Sequence, residues 1–195
     1  MGVLSSVLTR ITFGSGTVYL QQVPINTSTG AVGTEGVTGN GLNVVGAGGF
    51  KAEKVWNSVW NDVADFQLLA DKLEFGKCYF DTKDGARICT ERCQMSVIGI
   101  ASDTFGFGVG SGANPEREVP IAVAGWVLAY VDQEYECGTP LTNDEFGNLT
   151  AMTRAEKLEY PERIVAIYKR KEMDKQWGPE GQKIEVKGRH WVKVK

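Results

Sequence analysis

The chain has 195 residues, 42% of them hydrophobic, and a formal net charge of −3. That length suits one ordinary domain, or a domain with an appended arm, and is enough for a real core. So small a net charge gives no bulk attraction to nucleic acid or to an anionic membrane, and no run of about 18 apolar residues is present to span a bilayer.

The opening stretch, MGVLSSVLTR, lacks the basic region and long apolar run of a secretory signal. Met1-Gly2 followed by Ser6 fits the myristoylation pattern, but the pattern is short and one acyl chain anchors weakly, so no membrane partner is expected. Residues 1–50 hold 11 of the 24 glycines and two charges, Arg10 and Glu35. A solvated linker carries more charge, so this segment reads as an extended N-terminal arm that gains order from a neighbour. Within it, residues 17–25 and 41–46 read as strands and the glycine-rich stretch between them as loop.

Residues 51–195 read as a β-rich body. Its first part, 51–150, carries a net −8 and its last part, 151–195, a net +5. Near its start VWNSVWND repeats Val-Trp-Asn and ends at Asp62, with a second carboxylate at Asp65. Over about 60–72 Val63, Phe66 and Leu69 or Ala70 share a helical face, which predicts a helix there. KCYFDTKDGARICT (77–90) is a hairpin signature turning at Asp84-Gly85. Residues 95–103 and 119–132 are strands rich in β-branched side chains; the second is too long and apolar for an edge, and Gly125 marks a bulge or bend in it. Strands also fit 163–170, 182–188 and 190–195. Thr153-x-x-Glu156 is a capping box that starts a helix, and Pro161 stops it. The predicted fold is therefore mainly β: a compact sandwich or barrel-like body with one or two short helices and an extended N-terminal arm.

Few residues carry chemistry. Two neighbouring carboxylates can share a proton and split into acid and base, and in a helix Asp62 and Asp65 share a face; two acids in a first helical turn are also favoured by the dipole alone. Gly106-x-Gly108-x-Gly110 is not a dinucleotide fingerprint, and no Walker lysine follows; a tight strand or loop with Phe105 and Phe107 packed inward is the expected reading. Trp56, Trp60, Trp126, Trp177 and Trp191 serve as sugar platforms, core or subunit contacts, and core or contact is expected. Of the four cysteines only Cys89 and Cys93 are close together; with Cys78 and Cys137 they are expected to be free and buried, and with the single His190 they make no metal site. No cofactor is expected. Asn26 and Asn148 fit the glycosylation sequon, which means little without a signal peptide.

KVWNSVWNDVADF, IGIASDTFGFGVG, VPIAVAGWVLAYVD, YPERIVAIY and IEVKGRHWVKV occur in this order. Together they resemble the C-terminal module of phage virion proteins, including appendages and tail spikes: the intramolecular-chaperone autoprotease of the pre-neck appendage type, a glutamic peptidase family. The resemblance covers about residues 51–195. It implies a β-rich trimeric assembly module. In self-cleaving members the motif reads Asp-Tyr-Ala-Glu, with the cut before the Asp; here it reads Asp62-Val63-Ala64-Asp65, which would put the cut at Asn61–Asp62. The second acid is one methylene short, and misplacement near 1 Å can cost about 100-fold.

The sequence therefore leads to three expectations. The first is a bacteriophage virion structural protein, a capsid decoration or head-fibre-like trimer assembled in the host bacterial cytoplasm. Its partners would be other copies of itself and the major capsid protein or tail subunits, with no nucleic acid. Trp56, Trp60, Phe105, Phe107, Trp126 and Trp191 would lie at interfaces, no catalytic residue is expected, and Asp62 and Asp65 would be vestigial. The second is a small tail-associated or receptor-binding tip. The third is a self-cleaving assembly chaperone built on Asp62 and Asp65.

Overall fold

This computed structural model of the protein describes residues 9–13, 16–24, 40–45, 62–110, 115–178 and 183–195. Trp56, Trp60 and Asn61 lie outside the described residues. The chain divides into two compact units, Met1–Asn57 and Ser58–Lys195.

In the first unit, β1 (Thr9–Phe13), β2 (Gly16–Pro24) and β3 (Asn40–Val45) form an antiparallel sheet in the order β1-β2-β3. β2 and β3 coincide with the two stretches that read as strands.

The second unit is built on one ten-stranded sheet. Its strands are β4 (Asp62–Leu68), β5 (Cys78–Phe80), β6 (Arg87–Ile88), β7 (Val97–Ala101), β8 (Phe105–Val109), β9 (Glu118–Ala129), β10 (Pro140–Asn143), β11 (Leu149–Ala151), β12 (Ala166–Lys171) and β15 (His190–Val194). β13 (Gln176–Trp177) and β14 (Ile184–Glu185) form a separate ribbon. The main path runs β11-β10-β12-β15-β9-β7-β5-β6, with β4 also on β9 and β8 on β4. The fold is mainly β, as expected.

The sheet bends round without closing into a barrel. β11 and β5 stand six places apart in the path, about 29 Å in a flat sheet. Yet Cys78 and Leu149 share one buried cluster, and Cys78 N–H donates to Gly147 O at 2.8 Å. That cluster draws side chains from β5, β7, β9, β10, β11, β12 and β15, including the fully buried Ile100, Val127, Leu141 and Val192. The β-branched run 119–132 supplies the central strand. At its Gly125, φ +100, the β4 ladder ends opposite Asp62 and the β15 ladder begins opposite Val194. The bulge lies beside it, where Val63 and Ala64 pair with Ala124 and Ala122.

Local signals near two turns hold with one adjustment. α1 (Arg154–Glu159) starts at Thr153 with both capping-box hydrogen bonds formed. The hairpin turns one residue earlier than expected: Thr82 and Gly85 exchange backbone hydrogen bonds of 3.2 and 3.0 Å, leaving Lys83-Asp84 as the loop.

The helix expected over 60–72 is a correction. Residues 62–68 form β4, paired antiparallel to β9 from Asp62↔Gly125 to Leu68↔Glu118 and parallel to β8. Ala, Asp, Gln and Leu tolerate a helix, but an isolated short helix is marginal in water and ladder pairing on two sides outweighs that preference.

Gly99 has φ +143, and a Cβ there would lie 2.5 Å from Ala122 O and 2.7 Å from Ile121 Cγ2. Both neighbours belong to the central strand, so Gly99→Ala is expected to cost about 2 kcal/mol or more. Urea unfolding of the purified protein measures it; a loss below about 0.5 kcal/mol would contradict this packing.

Candidate functional site

The carboxyl of Asp62 opens β4 and is the least expected group in the body. Asp62 is 2% exposed. Its Oδ1 accepts from Thr104 Oγ1 at 2.7 Å, and Thr104 Oγ1 lies 3.1 Å from Ser102 Oγ, which accepts from Thr104 N–H at 3.0 Å. Ser102 and Thr104 are fully buried. Asp62 Oδ2 has no hydrogen-bond partner among the described residues. Loss of hydration raises the carboxyl to about 6; the hydroxyls of Thr104 and Ser102 pull it down, and the charge of Asp103 adds to the rise. A carboxyl so placed holds its proton in mildly acidic surroundings, because the neutral form removes the charge from an oxygen that no donor among the described residues stabilises.

Beside it, Asp103 points elsewhere. Its two oxygens take Nη1 and Nη2 of Arg189 at 2.7 and 2.8 Å. Arg189 is buried and also donates to Val186 O at 3.0 Å and Glu185 O at 2.7 Å. The turn Ser102-Asp103-Thr104 thus holds two different acid environments within two residues of each other.

Asp65 does not join Asp62. On a strand, residues three apart face opposite sides, and the burial along β4 follows that alternation, with Asp62 and Ala64 inside and Val63 and Asp65 half-buried. Asp65 Oδ2 instead accepts from Gln67 Nε2 at 2.6 Å. The shared-proton pair and the common helical face are therefore corrected: one carboxyl is buried among hydroxyls and the other lies on the opposite side.

The glycine-rich stretch is strand β8, paired in parallel with β4. A Cβ at Gly108 would lie 2.6 Å from Phe66 Cε2, so the ring of Phe66 lies against the position a side chain would take there. Phe105 meets the same ring edge-on at 5.4 Å. Phe107 is not packed inward; it is 48% exposed. Its neighbours along β8 are glycines, which build no wall around it.

The tryptophans separate. Trp191 is 4% exposed and donates from Nε1 to Glu172 Oε2 at 2.5 Å, with Trp177 edge-on at 5.1 Å. Its place is this chain's own core, which corrects the interface expectation. Trp126 is half-buried, with Lys169 Nζ 3.9 Å and Lys193 Nζ 6.0 Å from its ring centre. The Lys169 ammonium occupies a ring face on which a sugar would stack.

His190 is a core histidine, sharing a 2.9 Å hydrogen bond with Tyr168 Oη, and burial holds its pKa below the usual value. Cys78, Cys89 and Cys93 are free and buried; Cys137 is exposed, against expectation. Burial pushes Cys89 up to about 12, so it stays a thiol. Among the described residues no group of three His, Cys, Asp or Glu could hold a metal.

Neither the family models nor the curated proteins give a match to this chain. A solved structure does: the crystal structure of the premature bacteriophage phi29 gene product 12 aligns at TM-score 0.51 and 16% identity, over 76% of this chain and 23% of that one. The shared property is the fold. The aligned region is less than a quarter of that protein's length. Ser102, Asp103, Thr104 and Arg189 fall within the sequence blocks that carry the resemblance. No local signal in the sequence pairs them with Asp62, and Arg189, one of the basic residues of a C-terminal stretch that alternates with apolar ones as a wet strand face would, is instead 2% exposed.

Proposed function

We propose that the protein is a structural component of a bacteriophage particle, most simply a capsid decoration or head-fibre-like subunit that assembles as a trimer through its β-rich body. The observation that carries this reading is the fold shared with a segment of phi29 gene product 12, a phage protein. The ordered sequence blocks of an appendage assembly module support it independently. In this reading the major capsid protein or tail subunits are the partners, and the contacts are apolar and strand-mediated. A small tail-associated or tip protein is the closest variant of the same reading.

A self-processing chaperone is the second reading, favoured by one observation. The residue that follows the scissile bond in the self-cleaving modules is here a buried Asp62 with an orphan oxygen and a carboxyl raised to about 6. Against it stands the second acid, which faces away.

Mass spectrometry of purified particles tests both. The structural reading expects a chain that is continuous across Asn61–Asp62, and Asp65→Glu, which restores the longer acid, is expected to stay intact because its position on β4 is unchanged. A fragment beginning at Asp62 would overturn the non-enzymatic reading, and absence of the chain from particles would overturn both.

A further inference from the structure

We propose that the exposed ring of Phe146 on one copy of this chain seats in a cavity of the next copy, between the start of β7 and the end of β15, and so joins copies head to tail. The proposal rests on the assembly reading above for taking a copy of this chain as the partner, and adds the surfaces that meet.

The cavity holds about 360 Å³, more than twice the roughly 150 Å³ that accepts a benzene ring. β7 opens it by parting from β9: Ile100 and Ala101 pair with β9, whereas Val97 and Gly99 pair with β5. Met95, Val97, Val123, Ile164 and Val194 line the gap, and Met95 and Val123 are exposed at 66% and 43%. The charged lining is Glu162, Arg163 and Lys195. Glu162 already lies 3.5 Å from Arg163 Nε, so one base is left over, and an apolar side chain beside an acid is the complementary occupant.

Phe146 answers that description. It is 66% exposed, the most exposed aromatic among the described residues, and it does not line its own chain's cavity. Asp144 and Glu145 precede it, and no base lies between Pro140 and Ala151. The loop is braced on both sides of the ring. Phe146 N–H and Asn148 N–H each donate to Asp144 Oδ1 at 2.8 Å, Lys77 Nζ donates to Phe146 O at 3.0 Å, and Cys78 N–H donates to Gly147 O. A ring held out on a fixed backbone loses little freedom on docking. The other strongly exposed apolar side chains fit less well. Leu158 sits between Lys157 and Glu159, and Phe107 sits between two glycines with no acid beside it. Met173 has acids on both sides but more rotamer freedom to lose. Ring and cavity are different surfaces, so the contact is head-to-tail and closes into a ring of copies where the rotation allows.

The test mixes purified full-length chain carrying the photo-cross-linker Phe146→p-benzoylphenylalanine with nitrogen-15-labelled wild-type chain, without particles. The expected product joins unlabelled position 146 to a labelled peptide containing residues 94–99 or 162–165. Products confined to one chain, products to another segment, or no product would overturn the proposal. In parallel, Phe146→Ala and Val123→Asp are each expected to weaken self-association by about tenfold or more. Together they are expected to do no more than the stronger of the two, because both remove the same contact. Unchanged association in either single variant, or losses that multiply, would overturn the proposal, and if a variant does not fold the cross-link decides. Failure here leaves the virion reading standing, because that reading is tested on particles.

Discussion

Asp62→Asn is expected to remove a fall in stability that the wild-type body shows between about pH 4 and pH 7. The sign follows from the direction of the shift. Asp62 titrates near 3.8 when unfolded and near 6 in the fold. Its contribution is fully present below about pH 4 and is lost as pH rises through 6, since above that the fold must bury a charge that the unfolded chain solvates. The difference amounts to about 3 kcal/mol at neutral pH. Asn is neutral, of similar size, and keeps an acceptor for Thr104. Urea unfolding of both proteins from pH 4 to pH 8 gives the difference profile, which cancels groups of opposite sign such as Glu156, held down to about 2 chiefly by Arg92. Parallel profiles would show that Asp62 is ionised in the fold. Because this acid heads β4, its titration also acts on the strand that carries both β9 and β8.

The second large effect lies next to it. Asp103→Ala leaves the Arg189 guanidinium, 3% exposed, with carbonyl partners but no countercharge. Removing one partner of a buried pair costs about 3–5 kcal/mol, whereas the pair itself contributes less than that against an apolar replacement. Arg189→Met with Asp103→Ala is therefore expected to be more stable than Asp103→Ala alone. Strictly additive losses, or a single loss under about 1 kcal/mol, would mean that the pair behaves as an exposed one. The same Asp103→Ala change takes away one cause of the Asp62 shift, so its pH profile is expected to move toward lower pH.

The sequence carried the central strand and the capping box plainly. Both signals are local: a β-branched run in one case, Thr153 and Glu156 three apart in the other. β4 was hidden because its residues tolerate a helix and only pairing with β8 and β9, about 40 to 60 residues away in the chain, makes it a strand. That single difference also decides the candidate site. On a helix Asp62 and Asp65 would share a face; on a strand they part, and Asp62 meets Ser102 and Thr104 instead. Trp126 and Trp191 lie on adjacent strands in similar sequence settings. Register alone separates them, setting Trp126 opposite Lys193 and Trp191 opposite Leu128.

Immunogold labelling of intact phage particles with antibodies to residues 62–195 tests the central claim most directly. A virion structural protein is expected to give regular label on the particle, on the head surface for a decoration subunit and at the tail for the tail-associated variant. Particles without label, from lysates in which the free chain is abundant, would contradict it.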